Sequence, residues 1–275
     1  MTDSIKQHYD QQLDVEQIIK RLRHAYPDGP NVYQLAPVDQ LHIGGIKASL
    51  KLLQRIKESG AKRILDIGSG LGGLMRLLER ETGRSVIGVD ITHELNKVNR
   101  ALSALTSDSQ PPFVITADAH HLPFGDAQFD LVLFQHSLLN MPDDIQVLSE
   151  CQRVLSEGGQ LLLHEVIQGP EHQQMCYPVP WARDPQHSHL LKQQQLTERL
   201  RDCGFQIETL NDWSEEALSW RKRQSEKERE HPSTPATVSP ALILGPEFLQ
   251  MGRNVMNNLE KQAACVIELS ARKLG

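Results

Sequence analysis

The sequence predicts a doubly wound α/β fold around a mostly parallel sheet, and three observations carry that prediction. Short apolar runs, "RILDIG" (63–68), "SVIGVD" (85–90), "FVITAD" (113–118) and "FDLVLFQHS" (129–137), alternate with amphipathic segments of helical period. A glycine-rich turn, "GSGLGG" (68–73), follows the first run without a gap. Acidic residues, Asp66, Asp90 and Asp118, stand at the ends of the first three runs. Strands alternating with helices make right-handed βαβ units with both sheet faces covered. A ligand then belongs beyond the carboxyl ends of the strands, where the strand order reverses.

The elements follow in order. Leu13, Ile18, Ile19 and Leu22 recur among charges as a helix, and "YQLAPVDQLHIGG" (33–45), with Pro37 and Gly44-Gly45, reads as a loop after it. Ile46, Leu50, Leu53 and Ile56 mark a helix that Gly60 stops. Helices at "LGGLMRLLERET" (71–82), "HELNKVNRALSAL" (93–105) and "DIQVLSECQRVL" (144–155) separate the four runs already named from a further strand, "GGQLLLHEVI" (158–167). "LTERLRDCGFQIETLND" (196–212) adds a helix and a strand. A charged stretch (214–231), a connection "PSTPATVSP" (232–240) that reads as mobile, and a helix from about 246 to 262 precede "ACVIELSAR" (264–272), which returns to the sheet as the last strand. The predicted organisation is an N-terminal helical lid with its covering loop (1–45), a core (46–211), a helical insertion placed to cap a pocket (212–262) and the last strand (263–275).

Composition narrows the function. The net charge of −6 comes with both signs interspersed and no dense basic block, which argues against nucleic acid as a partner. Apolar runs are far shorter than the roughly 20 residues that span a bilayer. The opening "MTDSIKQHYDQQLDVEQ" is polar and acidic, unlike a secretory leader, so a cytoplasmic protein is expected, as a monomer or homodimer. Four scattered cysteines without a C-x-x-C pair predict neither a disulfide framework nor a zinc site. No metal is expected: His120 and His121 are adjacent and point apart on an extended chain, and His187 and His189 have no third ligand nearby in sequence.

The glycine turn fits two ligands. Gly68, Gly70 and Gly73 satisfy G-x-G-x-x-G, the turn that brings a dinucleotide pyrophosphate to a helix N-terminus. Asp66, two residues ahead of the first glycine, opposes that reading, because a carboxylate there repels a pyrophosphate and pairs with a cationic amino group. Asp90 lies about twenty residues beyond the turn, where an acid accepts ribose hydroxyls. Asp118 can accept from an exocyclic adenine amine. Together the three acids describe a pocket for a ligand with ribose, adenine and a positive charge.

In order and spacing, "ILDIGSGLGG" (64–73), "VIGVD" (86–90), "ADAHHLPFGDAQFDLV" (117–132) and "RVLSEGGQLLLHE" (153–165) resemble the successive motifs of class I S-adenosylmethionine-dependent methyltransferases. "VDQLHIGG" (38–45), "YPVPWA" (177–182) and "CGFQIETLNDWS" (203–214) resemble the small-molecule branch that includes sarcosine/dimethylglycine N-methyltransferases and ubiquinone/menaquinone C-methyltransferases. The resemblance implies S-adenosylmethionine as cofactor and S-adenosylhomocysteine as product. It implies that Asp66, Gly68, Ser69, Gly70 and Gly72 line the methionine end, Asp90 with Ile91 the ribose, and Asp118 with Ala119 the adenine. Gln135 would face the transferring methyl, and the covering loop nominates Tyr33, Gln40, His42 and Gly44 as further wall residues.

Methyl transfer needs alignment and exclusion of water, and a base where the acceptor is a hydroxyl or acidic carbon. His136, just past a strand end, is the first candidate base, with Gln135 and His42 as catalytic companions and His164 and His172 as further histidines. Tyr177, Trp181, Trp213 and Trp220 group in the acceptor half, and Arg183 can bind a carboxylate. The expected reaction is methylation of a small molecule, a glycine-like amine ahead of carbon or oxygen on a quinone, polyketide or other ring. The rival classes are a non-catalytic binder of S-adenosylmethionine or its product and an NAD(P)-dependent oxidoreductase.

Overall fold

The computed structural model describes residues 13–106, 111–230 and 238–275. The opening segment up to residue 12, and the predicted mobile connection as far as residue 237, lie outside the described residues. Seven strands form one sheet in the order β3-β2-β1-β4-β5-β7-β6. They are β1 (Ile64–Ile67), β2 (Val86–Asp90), β3 (Phe113–Thr116), β4 (Phe129–Gln135), β5 (Leu155–Gln168), β6 (Phe205–Asp212) and β7 (Ala264–Lys273). The first five pair in parallel, and β7 runs antiparallel between β5 and β6. The chain moves outward from β1 to β3 and then returns to β4 beside β1, so the order reverses at the β1/β4 boundary. That is the switch point where a ligand crevice forms in such sheets.

Alternation along the strands fills two layers. Leu65, Ile67, Val132, Phe134, Leu161 and Leu163 pack on one face with α6 (Asp144–Val154) and α7 (Gln193–Asp202). Ile64, Leu131, Leu133 and Leu162 pack on the other with α3 (Gly45–Ser59) and α4 (Gly73–Thr82). Burial on both faces explains why these strands read as unbroken apolar runs. In α3 the inward face is Ala48, Ser49, Leu52, Leu53 and Ile56, while Leu50, expected in the core, is exposed. The rotation of this face brings Ser49 inward beneath the cavity described below.

The N-terminal region departs from its prediction. Residues expected as a loop form α2 (Val32–Asp39), following α1 (Val15–Ala25). Asn31 caps α2 by accepting from the backbone N–H groups of Tyr33 and Gln34, and the Gln34 side chain accepts from the Asn31 N–H in return. This capping box stabilises a helix short enough to tolerate Pro37 within it. Ile18, Leu22, Leu35 and Val38 pack against Leu95, Val98 and Leu102 of α5 (His93–Ser103). Between β6 and β7 the chain inserts α8 (Ser214–Glu230), α9 (Ala241–Leu244) and α10 (Phe248–Glu260). Asn254 and Asn258 of α10 donate to the carbonyls of Pro178 and Cys176, which ties the insertion to the loop carrying Trp181.

Candidate functional site

β1 runs straight into the glycine turn, and the turn is set by contacts that exclude a side chain. Gly68 sits at φ +74°, and a Cβ there would fall 2.3 Å from the Cβ of Ser137. Ser137 in turn donates its hydroxyl to the Ile67 carbonyl at 2.6 Å, locking the turn to the segment after β4. A Cβ on Gly70 would meet only the Gly68 carbonyl oxygen, at 3.9 Å, so the backbone there borders open cavity. The Gly70 N–H donates to Asp90 Oδ2 at 2.9 Å and the Thr92 N–H to Oδ1 at 2.8 Å, which fixes the carboxylate at the end of β2.

The cavity is bordered by Asp66, Gly68, Ser69, Gly70, Gly73, Asp90, Ile91, Asp118, Ala119, His120, Gln135 and His136, with Leu41, His42, Pro180, Trp181, Ile243 and Leu244 closing its far side. Among the described residues its lining contains neither lysine nor arginine. Burial raises the Asp66 pKa to about 7, and the neighbouring Asp90 carboxylate adds to the rise. Burial also raises that of Asp90, against the N–H groups of Thr92 and Gly70, which lower it. Asp118, only partly buried, moves the other way because hydrogen bonds from His120 outweigh its desolvation. Two buried carboxylates side by side are unfavourable for a phosphate and favourable for a cation and hydroxyl donors. The residues present therefore fit a nucleoside carrying an ammonium group.

Past β4 the wall changes character. Gln135 donates its amide to Ser49 Oγ at 3.1 Å, and the Ser49 hydroxyl donates to Gln40 Oε1 at 2.6 Å, so a polar chain runs back through α3. His136 adopts φ +54°, a left-handed conformation that costs a non-glycine residue energy. It is held there by its N–H donating to the His164 carbonyl at 2.9 Å and by stacking on the His164 ring, centroids 5.0 Å apart. His42 meets both rings edge-on, at 5.8 Å from His136 and 6.1 Å from His164. Burial keeps all three imidazoles below the ordinary histidine pKa, His42 at about 3 and His164 at about 4. His136 Nε2 is buried with no hydrogen-bond partner. Among the described residues no group of His, Cys, Asp or Glu is arranged to hold a metal ion.

Several nominated residues lie elsewhere. Tyr33 is 43% exposed, its hydroxyl donating to Glu81 and its ring under Arg80, away from the cavity. Gly72 faces Asn99 of α5, where a Cβ would stand 2.1 Å from the amide oxygen, so it serves helix packing. Gln40 is buried behind Ser49, and Gly44 packs under Trp213. Trp213 is buried beside His164 with Lys51 over its ring, and Trp220 packs near Gly45. Tyr177 is half-buried against the apolar cluster of the insertion, Arg183 is exposed, and His172 faces the Ala263 carbonyl. Of the five candidate acceptor residues, Tyr177, Trp181, Arg183, Trp213 and Trp220, only Trp181 borders the cavity.

The structure adds residues that the sequence reading passed over. Arg76 in α4 is buried and pairs with Asp39 at 2.8 Å, also donating to Asn99, Ser103 and the Leu71 carbonyl, so it binds α2, the glycine turn and α5 together. Its only signal was a cation within the otherwise apolar face of "LMRLL". Glu165 accepts from the Ser137 and Leu138 N–H groups at 2.8 and 2.9 Å, and burial raises its pKa to about 7. It fixes the segment from which Asn140 and Met141 reach the cavity.

Residues 65–163, the strands and turns that build this site, match a family model described as a methyltransferase domain. The chain carries a class I S-adenosylmethionine-dependent methyltransferase domain. Methyltransferase GfsG of Streptomyces halstedii is 33% identical over 132 residues, 47% of each chain. The sarcosine/dimethylglycine N-methyltransferase of Halorhodospira halochloris is 29% identical over 151 residues, 54% of this chain and 53% of that one. The chain thus spans about half the length of these curated relatives. Among solved structures, the cyclase SpnF superposes with a TM-score of 0.66 at 23% identity, over 90% of this chain and 98% of its own. The strand order and crevice are accordingly those of the fold, whereas the cavity-lining residues Leu41, His42, Pro180, Trp181, Ile243 and Leu244 lie outside the matched residues. No helix among the described residues is long and apolar enough to cross a membrane.

Proposed function

We propose that this protein transfers a methyl group from S-adenosylmethionine to an uncharged small molecule through an acidic O–H or C–H position. The observation that carries the cofactor reading is the row of Asp66 on β1, Asp90 at the end of β2 and Asp118 just past β3, bordering a cavity whose lining, among the described residues, has no lysine or arginine. Asp66 would take the ammonium group, Asp90 the ribose hydroxyls, and Asp118 the adenine amine. Bound S-adenosylmethionine supplies an electrophilic methyl group with a neutral thioether leaving group. The chain's own part is to align the acceptor against Gln135 and His136, to exclude water with Trp181, Ile243 and Leu244, and to take the acceptor's proton on His136.

The acceptor class follows from what the far wall offers. An amino-acid acceptor needs a cation for its carboxylate, and Arg183, the candidate for that role, is exposed away from the cavity. His136 is held neutral by burial, so it keeps a lone pair able to take the proton that a phenol, an enol or a carbon between carbonyl groups must lose on methylation. Trp181 supports a second reading, an amine received on its ring face as the cation and methylated once it has lost its proton, and the similarity to a sarcosine/dimethylglycine N-methyltransferase favours that alternative. Since the fold is also that of a protein named a cyclase, the fold alone does not fix the reaction.

Calorimetric titration with S-adenosylhomocysteine and, separately, NADH tests the cofactor. Saturable binding of the first alone is expected, and binding of NADH alone would overturn the reading in favour of an oxidoreductase. Methyl uptake from labelled cofactor across a panel of phenols, enolisable diketones and amines tests the acceptor. Uptake by amines alone would reverse the acceptor class, and cofactor retained unchanged across a broad panel would point to a binding protein.

A further inference from the structure

His120 follows the Asp118-Ala119 pair and borders the cavity, yet neither the sequence motif nor the reaction assigns it a role. Both its ring nitrogens meet acceptors. Nδ1 lies 2.5 Å from Asp118 Oδ1, and Nε2 contacts the carbonyl oxygen of Pro142. A neutral imidazole has one N–H and one lone pair, so it can satisfy only one of these two partners, and the pair of contacts calls for the imidazolium. The arrangement is reinforced from the backbone: the His120 N–H donates to the same Asp118 Oδ1 at 3.0 Å, and Gln146 of α6 donates to the His120 carbonyl at 3.0 Å. All donors to Asp118 among the described residues reach Oδ1, which leaves Oδ2 to accept from a ligand.

We infer that His120, as an imidazolium, is a positioning residue for the adenine end of the cofactor: it strings Asp118 to the Pro142 carbonyl, aiming the carboxylate at the exocyclic amine and drawing the segment after β4 against the pocket. The inference rests on the cofactor reading above. The charged and titratable groups around His120 are Asp118 on its own loop and Asp143 from the segment before α6, with His121 next to Asp118. Partial burial lowers the His120 pKa, but Pro142, Asp118 and Asp143 outweigh it and hold the group above the ordinary histidine value. Deprotonation removes one of the two bridges, so cofactor affinity declines as pH rises past that point. Asp66 acts in the opposite sense, since ionising it strengthens binding of a cation, and affinity is expected to pass through a maximum.

The test is calorimetric titration of wild type, His120→Gln and His120→Ala with S-adenosylhomocysteine and with its deaminated analogue S-inosylhomocysteine, between about pH 6 and 9, the range over which a shifted histidine titrates. Wild type is expected to lose about tenfold in affinity on the alkaline side, the worth of one hydrogen bond, and to prefer the amine-bearing ligand. His120→Gln should show a flat alkaline side and a reduced preference between the two ligands. A structural residue would weaken binding equally at every pH. An alkaline decline that persists unchanged in His120→Gln, or its absence in wild type, would overturn the inference while leaving the cofactor reading intact. Failure of wild type to bind S-adenosylhomocysteine at any pH would overturn both. Circular dichroism of the variants separates unfolding from lost affinity, and His120→Gln serves if the alanine variant does not fold.

Discussion

At the cofactor end of the cavity the wall is placed by backbone. Asp66 and Asp90 belong to strands, the glycine turn hangs from β1, and Asp90 is pinned by two N–H groups within the turn and its own loop. At the acceptor end the wall is assembled from four separate regions, Leu41-His42, Gln135-His136, Pro180-Trp181 and Ile243-Leu244. A rigid end and an assembled end suit a constant cofactor and a variable acceptor. The same contrast implies that damage at the first end is felt as lost folding or lost affinity, and damage at the second as lost turnover.

The largest effect should come from beneath the cofactor end. Arg76→Ala strands the buried Asp39 carboxylate, whose pKa burial already raises, and is expected to lower stability by roughly 3–5 kcal/mol, read as a drop in Tm. Replacing both partners, with Asp39→Asn and Arg76→Met, should recover much of that loss; equal losses in single and double variants would mean that the pair is not the foundation of this end. At the acceptor end, His136→Asn should cut turnover by roughly 10²–10⁴ while S-adenosylhomocysteine affinity holds. Turnover surviving in that variant would make His136 a wall residue.

Asp90→Ala is expected to weaken cofactor binding by about 1–3 kcal/mol, and unchanged affinity in a folded variant would count against the ribose assignment. A smaller effect tests the charge of the ligand. Because Asp66 is held near neutrality in the free protein, binding a cation must expel its proton below a pH of about 7, so affinity should fall as pH drops below that value. Calorimetry in buffers of different ionisation enthalpy should register the released proton, and Asp66→Asn should abolish both signs.

That Asp66, the glycine turn and Asp90 border one cavity was legible in the sequence because the information there is local. Strand, turn and acid lie within a few residues of each other at Asp66 to Gly70, and their spacing is the structure. Where it erred, distant packing decided: Gly72 and Gly73 are neighbours in a glycine run, but only contact with Asn99 turns the first of them away from the cavity. The loop reading of 33–45 missed α2 because Pro37 outweighed the Asn31–Gln34 capping signal that stood one turn earlier. At the acceptor end little was legible. That Trp181 borders the cavity while Trp213 is buried beneath His164 depends on how the insertion between β6 and β7 folds back, and no periodicity encodes that.

The smallest expected effects discriminate between motif and geometry within the N-terminal region itself. Tyr33 and Gln40 were nominated by the same resemblance; Tyr33 lies in the first turn of α2 and Gln40 just past its last residue. Tyr33→Phe removes one exposed hydrogen bond to Glu81 and should change stability by no more than about 0.5 kcal/mol, with S-adenosylhomocysteine affinity unaltered. Gln40→Ala removes the acceptor of the Ser49 hydroxyl, and Ser49 is the partner of Gln135, so its consequence should travel along that chain to the transferring position and lower turnover more than affinity. A loss of affinity in Tyr33→Phe would require α2 to reorient over the bound cofactor, bringing an outward-facing residue onto the cavity wall. That result would make the cofactor end the more plastic of the two and reverse the comparison.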